Sequence, residues 1–347
     1  MGNSGYRVER GSAADDGDRV ISIWRGNLGQ VDRLAAKYDW FYRRNPFGDP
    51  LLLLLWHQPS SAMVGVAAAG PRLMQLAGKV LRAGVLVDMA VMAEHRSLFP
   101  ALMLQKQLMV DGMAHFEILY GFPNPKAAAV FKRVGYAQRA NIVRYAAVVL
   151  ARHYLARCGV PGVLAGIAGA AIDALFIFRR WLSRLSDRSL SIEWIDRADE
   201  RMDKLSAATQ GSGALHAIRD SRFLRWRFDE SPKTQCRYLC ISDQRQGTGL
   251  LAWFACQKED QSLHVRDFWS IDGVAGLQRR FLSILLSYGR RAGYASVSME
   301  FLGDDAVIHS LRAAGFEPRG SRPVFCTQSA ALPEAVGLHL TSADEDE

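Results

Sequence analysis

Trp40-Phe41-Tyr42-Arg43-Arg44-Asn45-Pro46 and Trp226-Arg227-Phe228-Asp229-Glu230-Ser231-Pro232 share the form Trp-x-aromatic-x-x-x-Pro, 186 residues apart. Two further pairs follow in the same order. Asp88, within Val85–Val91, answers to Asp267, within His264–Ser270, at a spacing of 179. Gly135, near the end of AAAVFKRVGY (127–136), answers to Gly315, near the end of VIHSLRAAGF (307–316), at a spacing of 180. Three features in one order at nearly one offset indicate an internal duplication. The chain therefore reads as two copies of one fold, 1–150 and 190–330. Residues 151–189 join them, and an acidic tail, 331–347, is expected to be disordered.

Composition sets the class. The 347 residues are 49% hydrophobic and 22% charged, which suits a globular protein, and a length prior of roughly 150 residues per domain gives about two domains. Five cysteines without a CxxC pair exclude a disulfide scaffold and a zinc ribbon. No His-Glu-x-x-His run or phosphate-loop signature is present, so no metal is expected. No apolar run follows Met1, and Tyr6 stands where myristoylation needs Ser or Thr, so a cytoplasmic location is expected. The net charge of +8 is uneven: 139–188 holds eight arginines against two acids.

Hydrophobic periodicity gives each copy the same order of elements. In the first, Tyr6–Arg10 is a short strand and Ala13–Asp18 opens a helix through Ile21, Trp24 and Leu28. Leu51–Trp56 and Met63–Ala69 form a hairpin, and Val80–Val91 is a long strand. Pro100 opens a helix with Ala101, Leu104, Leu108 and Val110 on its core face. Phe116–Tyr120 is the next strand. Asn124-Pro125 starts a helix that Gly135 ends, and Ile142–Val149 closes the set. Strand, helix, parallel strand and helix make a small α/β unit.

This order resembles the GNAT superfamily of acyl-CoA-dependent acyltransferases, well over 6–150 and more weakly over 190–327. Asn124-x-x-Ala127-x-x-x-Phe131-x-x-x-Gly135-Tyr136 is similar to the family's last motif. Val85–Val91 resembles its fourth strand, and His95–Ala101 stands where the family has its phosphate loop. The resemblance implies two tandem GNAT-like domains, each a mixed, mostly antiparallel sheet flanked by helices, the second degenerate. It also implies acetyl-CoA or another acyl-CoA as co-substrate, held by Met89, Val91, Arg96, Ser97, Leu98, Phe99, Pro100, Ala101, Asn124 and Phe131. A loop feeding a helix N-terminus offers unpaired N–H groups to a diphosphate. The departures are Phe99 for glycine, Pro100 without an N–H, and Phe131 for the tyrosine that protonates the thiolate. Tyr120 and Tyr136 are the substitutes at hand.

For the base, Asp88 and Glu94 are the candidates. Tyr42, Arg43, Arg44 and Asn45 are candidate acceptor contacts, suited to a carboxylate or phosphate, although the aromatics there also suit a core. In the second copy Asp272 stands in the phosphate loop and Asp304-Asp305 replace Asn-Pro, so that copy is not expected to bind coenzyme A. Instead it forms one wall of an acceptor cleft or stabilises the first copy.

The joining segment holds one charged residue, Asp173, between Gly159 and Phe178. It reads as a buried apolar connector, as an interfacial helix touching an anionic membrane through 152–184, or as a span. The leading expectation is transfer of an acyl group from acyl-CoA to the amine of a small molecule or cell-surface precursor, an amino sugar or amino acid, possible also as a lipid-linked sugar at the inner membrane face. The alternative is a non-catalytic tandem binding or scaffold protein. No nucleic-acid partner is expected. Aminoacyl-tRNA-dependent ligases with paired copies rank last, for want of a lysine-rich arm.

Overall fold

The computed structural model describes residues 5–28, 31–150, 190–209, 213–233, 235–243, 249–333 and 336–345. The joining segment 151–189 lies outside them, and so do the readings made for it. Among the described residues no helix is long and apolar enough to cross a membrane.

In the first half β1 (Tyr6–Arg10) is followed by α1 (Gly17–Arg25), α2 (Leu34–Tyr38) and a π-helical turn, Asp39–Arg43. Then come β2 (Leu51–His57), β3 (Ala62–Leu76), β4 (Lys79–Val91), α3 (Leu98–His115), β5 (Ile118–Gly121), α4 (Pro125–Val134) and β6 (Ala137–Val148). The second half runs β7 (Leu190–Ile195), α5 (Glu200–Ala208), β8 (Ala214–Ala217), α6 (Ser221–Leu224) and a second π-helical turn, Arg225–Asp229. It continues with β9 (Cys236–Asp243), β10 (Leu250–Glu259), β11 (Ser262–Ser270), α7 (Arg279–Arg291), β12 (Ser296–Leu302), α8 (Asp305–Ala313), β13 (Glu317–Gln328) and β14 (Gly337–Thr341).

Among the described residues all fourteen strands belong to one sheet, in the order β1-β2-β3-β4-β5-β13-β6-β12-β11-β10-β9-β7, with β8 and β14 attached to its interior. The order is a palindrome when β1 is matched to β7, β4 to β11, β5 to β12 and β6 to β13. It corrects the expectation of a separate sheet in each half. The last long strands are exchanged: β13 lies between β5 and β6, and β6 pairs with β12. Exchange hydrogen-bonds both strands on both edges, which removes two edges that would otherwise be exposed.

The five leucines of β2 show how the layers form. Leu52 and Leu54 enter a core shared by both halves, while Leu51, Leu53 and Leu55 pack under α3. A strand covered on both faces reads as an unbroken apolar run for this reason. The shared core holds Trp24, Tyr38, Trp40, Phe41 and Tyr42 with Phe223, Trp226 and Phe228. A further core lies under α7 and α8, around Phe281, Leu285 and Leu311.

Caps act as read. The Asn124 side chain accepts from the Lys126 and Ala127 amides, and Gly135 ends α4 at φ +111°. Asp304 caps α8 in the same way, through the Ala306 amide. Three local expectations need correcting. Helix α3 begins at Leu98 rather than Pro100. Val110 is exposed and Gln105 is buried in its stead; at 100° per residue Val110 lies far round from Leu108.

The third correction is the tail. Rather than disordered, Gly337–Thr341 is a strand between β12 and β8, and Ser342, Ala343 and Asp344 are buried. Strands β11 and β12 pair only from Ser262 to Val265 with Ser296 to Met299. Beyond that point the chain's own 337–344 segment pairs with β12 at Phe301 and Leu302. The opening between the second half's parallel strands is therefore filled.

Candidate functional site

The corresponding opening in the first half is a cavity. Strands β4 and β5 pair in parallel only from Ala83 to Val85 with Ile118 to Tyr120. After Val85 they part, and about 480 Å³ opens beside Leu86–Met89. On one face of the sheet the cavity is lined by Gln105 of α3 and by Asn124, Ala127 and Phe131 at the start of α4. On the other it reaches Arg33, Leu34 and Lys37, with Ser231, Pro232 and Lys233 from the second half. The slot thus passes through the sheet. The second half borders this cavity through Ser231, Pro232 and Lys233.

A bulge brings Asp88 into its lining. The β3–β4 register slips between Val66/Ala90 and Ala68/Val87, and Asp88 has φ +54°. A bulge sets two residues against one and re-aims a side chain. Here the Asp88 carboxylate turns toward α2. Its Oδ1 accepts from Lys37 Nζ at 2.6 Å, and its Oδ2 accepts from the Tyr42 hydroxyl at 3.0 Å. The Asp88 and Lys37 side chains are 2% and 10% exposed, so the two charges face each other largely out of water, where each needs the other. Lys37 also lies beside the Trp24 ring, 5.6 Å from its centroid.

Gln105 is 1% exposed, and its Oε1 has no hydrogen-bond partner. A buried carbonyl oxygen without a donor is costly. Set in the lining of an open slot, it suits a ligand that brings an N–H, and the pantetheine arm of coenzyme A carries two amide N–H groups. Asn124 is already committed to capping α4. The residues present on this face fit such an arm.

The loop after β4 is tightly folded. The amides of His95, Arg96 and Ser97 donate within the loop, to Met92, Ala93 and His95 carbonyls. Ser97 gives α3 no side-chain cap. With Pro100 lacking an N–H, the Leu98 and Phe99 amides remain as donors at the helix start. Phe99 is 49% exposed. Arg96 bonds the Val91 and Gly26 carbonyls and Asn27 Oδ1, which ties the loop to the end of α1. Val91 is buried, Ala101 half-buried, and Glu94 exposed in the loop.

Of the residues read from the sequence, the cavity brings together Asp88, Met89, Asn124 and Phe131. Tyr42 is behind them on Asp88. The other acceptor candidates are elsewhere: Arg43 bonds Ala13 and Ala14 carbonyls, Arg44 bonds Asp39, and Asn45 reaches the Pro71 carbonyl. Tyr120 and Tyr136 do not line the slot. Burial raises both phenols, and Tyr120 is hydrogen-bonded to the Asp344 carbonyl.

Sequence reading missed Lys37, Gln105, Arg33 and Lys233. A signal existed for Lys37: Leu34, Lys37, Tyr38 and Phe41 follow i, i+3, i+4, i+7, which sets a lysine on a helix's buried stripe. For Lys233 none existed, because a second-half residue enters a first-half cavity only through the packing.

In the second half, Asp267 occupies the place of Asp88. It accepts from Arg219 Nε at 2.9 Å and from the Thr341 hydroxyl at 2.8 Å, with Arg219 and Asp267 side chains 0% exposed. Arg219 also meets Asp344 at 3.0 Å. Among the described residues no group of three or more His, Cys, Asp or Glu is placed to hold a metal ion.

No family model matches the sequence, and no curated protein matches it. Solved structures do. A conserved protein of unknown function from Enterococcus faecalis V583, described as a probable N-acyltransferase, is similar over 93% of this chain and 72% of its own, with TM-score 0.63 at 10% identity. A GCN5-related N-acetyltransferase from Anabaena variabilis is similar over 92% of this chain and 72% of its own, with TM-score 0.61 at 10% identity. Saccharomyces cerevisiae N-myristoyltransferase, solved with myristoyl-CoA, covers 94% of this chain and 83% of its own, with TM-score 0.51 at 9% identity. The chain has the α/β fold of GCN5-related N-acetyltransferases, built on one large mixed sheet.

Proposed function

We propose that this chain is an acyl-CoA-dependent N-acyltransferase, built from two copies of the fold and active in the first. The observation that carries it is the slot through the sheet with Asp88 and Lys37 in its lining. It gives a thioester access from the α3–α4 face and an amine access from the α2 face. The two reactants meet where the strands part.

The reaction balances on two residues. The neutral amine attacks the thioester carbonyl, the new C–N bond forms, and the C–S bond breaks. Asp88 takes the proton the amine sheds, and the Lys37 ammonium gives one to the departing thiolate. The proton on Asp88 then returns to Lys37 across their 2.6 Å hydrogen bond, which restores the pair. In this scheme Lys37 replaces the tyrosine hydroxyl that Phe131 lacks. Glu94, exposed in the loop, has no part in it.

The second half keeps the acid but not the proton donor. Arg219 stays protonated in any accessible pH range, and the tail covers the pair. Its task in this reading is to complete the wall of the first slot with Ser231–Lys233. An amino sugar or amino acid fits as acceptor. A lipid-linked one fits if the arginines of 152–184 rest on an anionic membrane, which flotation with anionic and neutral liposomes tests.

A non-catalytic binding role is the second reading, favoured by Phe131 and by the committed amides of the β4–α3 loop. Calorimetric titration with acetyl-CoA and longer acyl-CoAs separates the two. Binding followed by acyl transfer that Lys37→Met abolishes supports the enzyme. No binding at any chain length supports the scaffold.

A further inference from the structure

We infer that the acyl group transferred in this slot is a medium-length alkyl chain rather than acetyl, and that Leu28, Leu34, Trp40, Val87 and Phe122 hold that chain on the α2 side of the sheet. The inference rests on the acyltransferase reading above and names its acyl substrate.

The two sides of the slot have different linings. Successive residues of a strand point to opposite faces, and β4 shows this where it leaves β5. Leu86 enters the core under α3, and Val87 enters the core shared by both halves. On the α3 side the lining includes Gln105 and Asn124 beside Ala127 and Phe131, a mixture that suits the amides of a pantetheine arm. On the α2 side Val87 is joined by Leu28, Leu34, Trp40 and Phe122, all of which belong to the shared core or pack against it. The charges on this side leave that surface intact. Lys37 and Asp88 bond each other at 2.6 Å, and Arg33 and Lys233 are exposed, so their heads stay in water.

An arm that enters from the α3–α4 face and carries its thioester to the split leaves whatever follows the carbonyl on the α2 side. Acetyl would leave most of the apolar wall there in contact with water. An alkyl chain buries it, with a favourable increment for each methylene. The cavity measures about 480 Å³ in all. At roughly one water's share of volume per carbon, ~30 Å³, a chain of about eight carbons takes about half of it and leaves the rest to the arm.

Trp40 makes the wall rigid. It is 1% exposed, its ring stacks on Trp226, and its indole N–H donates to the Trp226 carbonyl. A ring held in this way does not turn aside for a longer chain. The slot therefore sets an upper length as well as a preference.

The test uses the full chain and the saturated series acetyl-, butanoyl-, hexanoyl-, octanoyl-, decanoyl- and dodecanoyl-CoA, with coenzyme A as reference. Each is titrated calorimetrically at concentrations where it does not form micelles. Affinity should rise with length by up to about fourfold per methylene, equivalent to ~0.8 kcal/mol. Octanoyl-CoA should bind at least tenfold more tightly than acetyl-CoA, and the rise should stop by dodecanoyl-CoA. Leu28 and Phe122 are half-buried, so bulk can be added at either with little cost to the core. Leu28→Trp and Phe122→Trp should each cut octanoyl-CoA affinity tenfold or more while leaving the Kd for coenzyme A within twofold of the parent. Equal affinity across the series overturns the inference and leaves this wall to the acceptor, with coenzyme A binding intact. A rise that continues unbroken through dodecanoyl-CoA, or one that neither variant reduces, also overturns it, because the chain then rests elsewhere. Loss of coenzyme A binding in both folded variants overturns it by assigning the wall to the arm. A parent protein that binds neither coenzyme A nor any acyl-CoA sinks the acyltransferase reading itself.

Discussion

Trp40 and Trp226, 186 positions apart, hydrogen-bond to one another twice: each indole N–H donates to the other residue's carbonyl, at 2.6 and 3.1 Å. The rings stack 5.0 Å apart at 17°. Arg227 lies near the Trp40 ring and Arg72 near the Trp226 ring, 5.7 and 4.4 Å from the centroids. Reciprocal contacts of this kind arise where equivalent residues meet across a local twofold.

Truncating one of these rings should therefore disturb both halves. Trp226→Ala is expected to cost about 3–5 kcal/mol, the usual range for a buried aromatic. Urea unfolding followed by fluorescence and far-UV dichroism should show a single, shifted transition. Two separate transitions in the parent would mean that the exchanged strands and this contact do not couple the halves.

The Lys37–Asp88 pair predicts non-additive energetics. Removing one partner strands a buried charge, and either Lys37→Met or Asp88→Leu should cost about 3–5 kcal/mol. The double variant should cost less than the sum of the two, since no lone charge remains. A double-mutant cycle by chemical denaturation reads the coupling directly. Asp88→Asn keeps the size, and its acyl transfer should fall by two orders of magnitude or more, the usual scale for a general base.

Gln105 separates stability from binding. Its unpartnered oxygen is a cost in the free protein, so Gln105→Leu should leave thermal stability unchanged or slightly raised. Coenzyme A affinity should nevertheless drop about tenfold, equivalent to one lost hydrogen bond of ~1.4 kcal/mol. Unchanged affinity in calorimetry would remove this residue from the binding face.

The tail should be a structural part of the second half. Arg219 and Asp344 side chains are 0% exposed, and Arg227 donates to the Ala343 and Ser342 carbonyls. Asp344→Ala should destabilise the protein by about 3 kcal/mol or more. Removing Gly337 onward should render the region near β12 and β8 cleavable by protease, checked by limited digestion and mass mapping.

Buried histidines set an acid limit. Burial, with Arg266 and Arg144 nearby, lowers His264 to about 3, and burial drives His339 well below its ordinary value. His339 sits edge-on to Phe268, Trp269 and Phe301. Between the folded and unfolded pKa the unfolded chain binds more protons, so stability rises with pH there. Their contribution is complete above about pH 6.5, the unfolded value, and is lost progressively as pH falls below it. Urea midpoints between pH 8 and pH 4 should decline with this onset, and less steeply in His339→Leu.

Local order was legible because it depends on neighbours in the chain. Asn124 and Gly135 mark the ends of α4 through backbone groups within a few residues, so the motif carries its own geometry. The run of leucines in β2 marks a buried strand, and its residues enter cores on both faces of the sheet. The matched offsets of the Trp, Asp and Gly features indicated a duplication, since repetition is a property of sequence itself.

What only the tertiary structure decided depends on contacts between distant segments. The exchange of β6 and β13 rests on edge hydrogen bonds that either half could satisfy alone, so no side-chain pattern reports it. The acidic tail reads as disordered from its sequence; Arg219, 125 positions earlier, makes Asp344 a buried partner instead. Spacing alone sets Lys37 on a buried helical stripe, but its partner is supplied only by the bulge that turns Asp88, 51 residues on, toward it. One slot is open and the other filled because the chain's last strand reaches only one of them.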